Sequence, residues 1–253
     1  MKAFFAAVRF LTIAPVPTSW AGGEEELARS VPFFPAVGLL IGVVAGALAI
    51  DLIQVLPPLP ACVLVLIALV AASGALHMDG LSDTADGFFS SRPRERILEI
   101  MRDSRTGAMG VIAIVSVLLL KFAALASLPP SAWWRAVLIA AVAGRCSLVF
   151  MMMLLPYVRP EGGLGSVFYR KRPAFASLVA LVMLAGTAWF ALRLAGMVAT
   201  GAAVLMTLLF AAQCKRKIGG ATGDTLGAAC ELSEVATLLT LAACCHCQWG
   251  YAW

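Results

Sequence analysis

Three aspartates in a short polar segment are the first residues of this sequence whose types and spacing suggest chemistry. Asp79, Asp83 and Asp86 follow one another at intervals of four and three residues, so on a helix their side chains project from one face. Like charges at this spacing repel one another unless a cation is bound. Carboxylate oxygens are ligands that Mg²⁺ prefers, commonly together with substrate phosphates. The segment therefore predicts a magnesium site for a phosphate-bearing substrate.

A second acidic pattern follows the first. Ser91 and Pro93 indicate a helix start, after which Glu95, Glu99 and Asp103 recur every four residues. Arginines are interleaved with these acids, and guanidinium groups match phosphate oxygens in a bidentate manner. A solvated loop with ion pairs along its helix is the alternative interpretation. The interleaved arginines include Arg96, Arg102 and Arg105.

A glycine-rich turn near the end of the chain forms the other candidate segment. Gly219, Gly220 and Gly223 precede Asp224, which stands where a helix N-cap is expected. Such turns present backbone N–H groups to anions. Glu231 lies seven residues after Asp224 and shares its helical face, so the two could complete a metal site or orient an attacking hydroxyl. A flexible turn before a capped helix is the alternative.

Three isolated ionisable residues are further candidates. His77 precedes the aspartates and is either a general base beside the metal or a packing residue at the end of a span. Lys121 and Arg145 fall inside apolar runs, where charges are costly and usually face a polar interior. They could neutralise a substrate phosphate, pair with acids, or extend towards the membrane interface.

The elements that must position these residues are predicted to be transmembrane helices. The chain has 253 residues, of which 61% are hydrophobic and 13% charged, a composition that excludes an ordinary soluble domain. We expect an all-α, polytopic bundle that forms one integral membrane domain over residues 1–253. Its N-terminal segment, up to Pro17, is predicted to be an amphipathic surface helix or a re-entrant segment packed against the bundle. About seven spans are predicted, at residues 33–56, 60–76, 108–128, 133–155, 174–192, 195–212 and 225–248.

Charge predicts the orientation of these spans. With seven spans, the long connections share one side with the N-terminus, and most basic residues lie there. The positive-inside rule makes this the cytoplasmic face of the cell (inner) membrane. The acidic loop, about 78–107, and the glycine-rich loop, about 214–224, both belong to that face. Membrane orientation also explains the net charge of +5, so we expect no nucleic-acid partner.

The same segments carry a resemblance to a known family. The stretch Leu76-His-Met-Asp-Gly-Leu-Ser-Asp-Thr-Ala-Asp-Gly-Phe, continued by Arg96-Ile-Leu-Glu-Ile-Met-Arg-Asp-Ser-Arg-Thr-Gly, resembles the cobalamin synthase family, the adenosylcobinamide-GDP ribazoletransferases. The stretches Phe10-Leu-Thr-Ile-Ala-Pro-Val-Pro, Phe33-Phe-Pro-Ala-Val-Gly and Gly219-Gly-Ala-Thr-Gly-Asp-Thr-Leu-Gly-Ala are similar to the same family. The resemblance covers nearly the whole chain.

This resemblance implies a reaction and roles for the candidate residues. α-Ribazole or its 5′-phosphate would attack adenosylcobinamide-GDP, GMP would leave, and adenosylcobalamin or its phosphate would form with Mg²⁺ as cofactor. His77 or Asp224 would handle the hydroxyl proton. The arginines and the glycines of residues 219–223 would hold the diphosphate. The implied metal ligands are Asp79, Asp83, Asp86 and Asp103.

Two other functions remain as alternatives at this point. CDP-alcohol phosphatidyltransferases share the pattern Asp-x-x-Asp-Gly, which Asp83 to Gly87 satisfies, but the rest of their motif matches only in part. A transporter would use Lys121 and Arg145 to line a path. The carboxylates cluster at one face, however, and the two halves of the chain do not repeat, which disfavours a transporter. The oligomeric state is left open.

Overall fold

The computed structural model of this chain describes residues 1–159, 164–170 and 173–247. Within these ranges the fold is all-α, as predicted, with short 3₁₀ turns at Val31–Phe33, Pro130–Ala132 and Leu164–Tyr169. The α-helices are α1 (Lys2–Leu11), α2 (Thr18–Ala21), α3 (Glu24–Ala28), α4 (Phe34–Val55), α5 (Pro58–Ala72), α6 (Leu76–Phe88), α7 (Arg94–Ile100), α8 (Ala108–Ala126), α9 (Trp133–Leu154), α10 (Ala174–Ile218) and α11 (Gly223–His246).

The prediction of a multi-spanning membrane protein is confirmed. Helices α4, α8, α9, α10 and α11 are each long and apolar enough to cross a membrane, and α5 with α6 forms a sixth candidate bent by 86°. At 13 residues, α6 covers about 20 Å, which is shorter than the hydrocarbon core of about 30 Å. We therefore treat α6 as lying across the end of the bundle, outside the spanning segments.

Helix α10 contains a chain reversal. Leu192 and Arg193 depart from helical dihedral angles within its 45 residues. A Cβ atom at Gly196 would overlap the carbonyl group of Ala188, eight residues earlier, although a continuous helix would separate these residues by about 12 Å. The two halves of α10 therefore fold back on each other, at the boundary between the fifth and sixth predicted runs. The total of seven spans is compatible with this division and stays a prediction.

Helix α9 is at the centre of the bundle and packs closely on α4. Gly38, Gly42 and Gly46 face α9, and a Cβ atom at residue 42 would lie 2.9 Å from the Cα atom of Leu138. In a membrane, small residues let helix backbones approach each other and gain dispersion contacts. The glycines of α4 therefore determine how close the two helices come.

The N-terminal segment is an amphipathic helix, as predicted. In α1 the side chains of Ala7 and Leu11 are buried against the bundle, whereas Lys2 and Arg9 are exposed. The ring of Phe10 packs 6.0 Å from that of Phe34 at the start of α4. Helix α1 is therefore attached to the bundle by its apolar face and presents its basic residues outwards.

An ion network connects three helices inside the bundle. Lys121 of α8 donates hydrogen bonds to Glu231 at 2.6 Å and to Glu234 at 2.5 Å, both on α11. Arg145 of α9 donates to Glu234 at 2.5 Å. All four side chains are buried, and buried charges are tolerated when they are paired. Of the three alternatives predicted for Lys121 and Arg145, the structure shows pairing with acids, and their burial contradicts extension towards the interface.

The α4–α9 contact predicts that the substitution Gly42→Leu destabilises the bundle. The added side chain meets the backbone of Leu138, and overpacking of this kind costs about 1–3 kcal/mol. The matched control is Gly201→Leu, because a Cβ atom at residue 201 meets nothing within 4 Å. Thermal unfolding in detergent should show a lower Tm for the first variant alone, and equal Tm values would contradict this packing.

The ion network predicts a large effect of Glu234→Gln. The change leaves Arg145 without its carboxylate inside the bundle, and breaking a buried pair costs on the order of 3 kcal/mol. Glu25→Gln is the control, because the Glu25–Arg29 pair is 68% exposed on both sides and such pairs contribute little. Thermal unfolding again provides the measurement, and a Glu234→Gln protein as stable as the control would argue against the network.

Candidate active site

Helices α6 and α11 cross at two glycines, and this crossing brings the two candidate segments together. A Cβ atom at Gly80 would lie 2.7 Å from the carbonyl oxygen of Asp224, and one at Gly227 would lie 3.1 Å from that of His77. Any larger residue would push the backbones apart. The glycine that follows Asp79 therefore allows the start of α11 to lie against the acidic face of α6.

The aspartates occupy the one open face of α6. From His77 to Phe88, every residue is buried except Asp79, Asp83 and Asp86. The helix packs against α8 and α11 with its remaining surface, because Leu81, Ala85 and their neighbours are apolar or small. The prediction that the three aspartates share a helical face is confirmed.

The environment of Asp83 is strongly acidic. Burial, followed by the negative charges of Asp79 and Asp224, raises the pKa of its carboxyl group to about 7. Asp86 acts in the same direction, whereas Arg159 opposes the shift. A cation bound beside Asp83 would offset this repulsion.

Asp86 connects α6 to the start of α8. Its carboxylate accepts hydrogen bonds from the backbone N–H groups of Gly107, at 2.7 Å, and Gly110, at 2.9 Å. Gly107 is the N-cap residue of α8, so the negative charge also lies at the positive end of that helix. A carboxylate has about four lone-pair positions, and these two bonds leave capacity for a metal ion.

Helix α11 starts two residues earlier than the predicted N-cap at Asp224 indicates. The N-cap residue is Thr222 rather than Asp224, since Thr222 Oγ1 accepts from the backbone N–H of Thr225 at 3.3 Å and Thr225 Oγ1 accepts from that of Thr222 at 2.8 Å. The two threonine hydroxyls therefore accept hydrogen bonds from the backbone N–H groups of Thr222 and Thr225 at the start of the helix. Asp224 lies in the first turn, where its carboxylate is available for an ion pair.

That ion pair is formed with Arg159, a residue that the sequence analysis did not single out. The backbone N–H of Val158 donates to the carbonyl of Ala221 at 3.0 Å, and that of Ala221 donates to the carbonyl of Pro156 at 2.8 Å. This short pairing brings Arg159 to Asp224, to which its guanidinium donates. No local sequence pattern indicates the pairing, because the residues are about 60 positions apart.

The three glycines of the late loop have different positions. Gly219 ends α10 with a positive φ of 81°. Gly220 leaves no room for a side chain beside the carbonyl of Pro156. Gly223 lines the cavity described below, and a Cβ atom there would meet nothing within 4 Å. Their predicted binding of phosphate stays a prediction, for which Gly223 is the best placed.

The second acidic stripe is not continuous. Helix α7 ends at Ile100, so Asp103 lies beyond it and does not share a helical face with Glu95 and Glu99. Hydrogen bonds from Arg105 lower the pKa of Asp103 to about 2. Arg96 pairs with Glu99 at 2.5 Å in an exposed position. Arg102 is exposed in the same connection, near enough for its charge to act on Tyr157.

Glu231 does not lie beside Asp224, where the sequence predicts that the two could complete a metal site or orient a hydroxyl. It shares a helical face with Asp224 but lies two turns, or about 10 Å, further along α11, where Lys121 binds its carboxylate. A common face does not imply a common depth in the bundle. Glu231 therefore belongs to the ion network and does not join the aspartates of α6.

A cavity adjoins the carboxylates. It has about 840 Å³ of empty volume, part of it open to solvent, and His77, Asp79, Arg159, Gly223 and Asp224 contribute to its lining. The Nδ1 atom of His77 is buried and has no hydrogen-bond partner among the described residues. Burial and the positive charges of Arg145 and Lys121 lower the pKa of His77, so the imidazole is neutral and can accept a proton.

The carboxylates suit Mg²⁺ in kind. Asp79, Asp83, Asp86 and Asp224 supply only hard oxygen donors, and their mutual repulsion favours a cation. Within the described part of the chain, however, no three side chains of Asp, Glu, His or Cys are arranged closely enough to hold a metal ion. The carboxylates would have to move closer together to coordinate one ion.

Comparison with known proteins gives a consistent result. The family described as cobalamin-5-phosphate synthase matches residues 3–242. Proteins named adenosylcobinamide-GDP ribazoletransferase from Brevibacillus brevis and Desulforamulus reducens are 39% and 41% identical, covering 95% and 90% of this chain and 98% and 91% of their own lengths. One from Geotalea daltonii is 38% identical over 96% of this chain and 98% of its own. No solved structure matches significantly. The chain therefore belongs to the cobalamin-5-phosphate synthase family.

Proposed function

We propose that this chain catalyses the reaction for which its relatives are named. It would transfer the adenosylcobinamide phosphate group of adenosylcobinamide-GDP to α-ribazole or α-ribazole 5′-phosphate and release GMP. The product would be adenosylcobalamin or its 5′-phosphate. One observation supports this proposal most directly. The acidic face of α6 lies against the start of α11, where Arg159 binds Asp224, and a cavity adjoins these groups.

In this reaction a ribose hydroxyl oxygen attacks the phosphorus nearest to cobinamide, and the bond from that phosphorus to the oxygen of GMP breaks. Charge neutralisation and positioning supply most of the catalysis in such transfers. Arg159 would bind a phosphate oxygen through its planar guanidinium. His77 would accept the hydroxyl proton, since its Nδ1 atom is unpartnered while Asp224 is engaged by Arg159.

We further propose Mg²⁺ as the cofactor. Asp79, Asp83 and Asp86 would hold it, and the bound ion would neutralise charge on the diphosphate. Asp103 is the weaker candidate ligand because Arg105 binds its carboxylate. We place these groups at the cytoplasmic face of the cell (inner) membrane, since most basic residues lie on the same side as the long connections.

Asp83→Asn should abolish most of the activity in detergent or nanodiscs. The change keeps the shape of the side chain but removes the charge at the centre of the acidic group, so GMP release should fall by about 10²-fold or more. Asp51→Asn is the control, because Asp51 is an exposed residue of α4. Chelation should stop the reaction of the unaltered protein, and Mg²⁺ should restore it. Normal turnover in Asp83→Asn would refute the proposed site.

Arg159→Lys should lower kcat more than it raises KM for adenosylcobinamide-GDP. Lysine keeps the positive charge but loses the planar, bidentate donor that would match a phosphate in the transition state. We expect kcat to fall on the order of tenfold or more. Arg135→Lys is the matched control, since Arg135 stacks on Trp134 and does not line the cavity. Unchanged kcat in Arg159→Lys would exclude a role for this guanidinium in the chemical step.

A further inference from the structure

A groove on the outer surface of the bundle lies far from the aspartates. Helices α4, α9 and α10 form its walls, and its lining is apolar or small apart from Thr187. A volume of about 460 Å³ lies within it. Trp134 of the groove is about 27 Å along α9 from Met152, which lines the cavity beside the aspartates. The groove therefore belongs to the opposite end of the bundle.

The length of the groove matches one leaflet of a membrane. Along α10 its lining extends from Val182 to Ala191, a helical rise of about 13 Å. The hydrocarbon core is about 30 Å thick, so each leaflet contributes about 15 Å. Val182 and Phe190 are exposed on a helix that is apolar and long enough to span the membrane. The groove is thus open to lipid, and an acyl chain is the apolar molecule that a membrane supplies at this position.

Two arginines lie where the groove reaches the end of the bundle. The guanidinium of Arg135 is 5.1 Å from the ring centre of Trp134, a lining residue. Arg193 is at the chain reversal of α10, two residues after the lining residue Ala191, and its guanidinium is 5.6 Å from the ring centre of Trp189. Within the described part of the chain, no carboxylate forms an ion pair with either guanidinium. Stacking on a ring leaves the N–H donors at the edge of a guanidinium free to bind an anion.

The position of these two charges is unlike that of most other basic residues. Most basic residues lie at the end of the bundle that carries the long connections and the aspartates, as the positive-inside rule predicts. Arg135 and Arg193 lie at the other end, where that rule predicts few. Asp51 is an exposed residue near this end of α4 and is paired with neither of them. Two guanidiniums without carboxylate partners at the membrane surface are complementary to the phosphate of a lipid headgroup.

We propose that the groove binds an anionic phospholipid from the leaflet opposite the aspartates. One acyl chain lies along the apolar lining and over Gly186, and the phosphate lies against Arg135 and Arg193. The lipid contacts α4, α9 and the first half of α10 together, so it stabilises their packing. This binding is independent of the proposed reaction.

Filling the groove tests the place of the acyl chain. Gly186 lines the groove, and a Cβ atom there meets nothing within 4 Å, so Gly186→Leu occupies the space of the lipid without a clash inside the protein. The matched control is Gly201→Leu, at an equally open position that does not line the groove.

Removing the charges tests the place of the headgroup. The variant combines Arg135→Gln with Arg193→Gln. Its control combines Lys2→Gln with Arg9→Gln, which removes the same charge from exposed positions of α1. A third protein, with Arg135→Lys and Arg193→Lys, keeps the charge at the groove and should keep most of the lipid binding.

Native mass spectrometry of the protein in detergent, titrated with phosphatidylglycerol or with phosphatidylcholine of the same chains, provides the measurement. We expect one saturable site for phosphatidylglycerol, whose Kd rises at least tenfold in Gly186→Leu and in the double glutamine variant at the groove. Both controls should keep the original Kd, and phosphatidylcholine should bind at least tenfold more weakly.

Several results would overturn the proposal. Equal binding of the two lipids in all variants would make the arginines and tryptophans general interfacial anchors. Displacement of the lipid by glycerol 3-phosphate at the concentration of phosphatidylglycerol that saturates the site would show an anion site without a place for the chain. A dimer of the unaltered protein that Gly186→Leu dissociates, without a change in lipid binding, would assign the groove to a second copy of the chain.

Discussion

The repulsion among carboxylates at the crossing of α6 and α11 is the constraint on which the rest of the site depends. Asp79, Asp83, Asp86 and Asp224 are held close together by two backbones in near contact at Gly80 and Gly227. The surrounding groups offset this repulsion in different ways: backbone N–H groups bind Asp86, and a guanidinium binds Asp224. Among the residues that the structure describes, Asp83 has neither kind of partner, and burial beside the negative charges of Asp79 and Asp224 raises the pKa of its carboxyl group to about 7.

The crossing can persist only if α11 is fixed in depth and rotation. Lys121 and Arg145 provide this by binding Glu231 and Glu234, two to three turns beyond Asp224. Because these four charges are buried, sliding or rotating α11 would leave one of them unpaired in an apolar environment, which is strongly unfavourable. The ion network therefore positions the start of α11 without lining the cavity. Precise sites generally require such support from rigid elements.

Much of this arrangement follows from local sequence patterns. The apolar runs predict the helices, and the spacing of Asp79, Asp83 and Asp86 predicts their common face, because both depend only on helical geometry. Local patterns do not determine how deep a residue lies in the bundle or which distant segments come together. Glu231 shares a face with Asp224 but lies deeper in the bundle, and Asp103 follows the end of α7. Arg159 reaches the site through a backbone pairing of segments far apart in the chain, for which periodicity contains no signal.

The position of α1 explains why the N-terminal stretch belongs to the same functional unit as loops far along the chain. Its amphipathic pattern predicts a helix on the surface of the bundle, which accounts for Ala7, Leu11 and the exposed Arg9. Phe10, however, lies at the edge of the buried face and reaches the cavity beside Phe168. Because α1 packs against the start of α4, its residue Phe10 places an apolar ring beside the cavity that Asp79 and Asp224 also line. A short surface helix at the beginning of the chain therefore contributes to the same cavity as the start of α11.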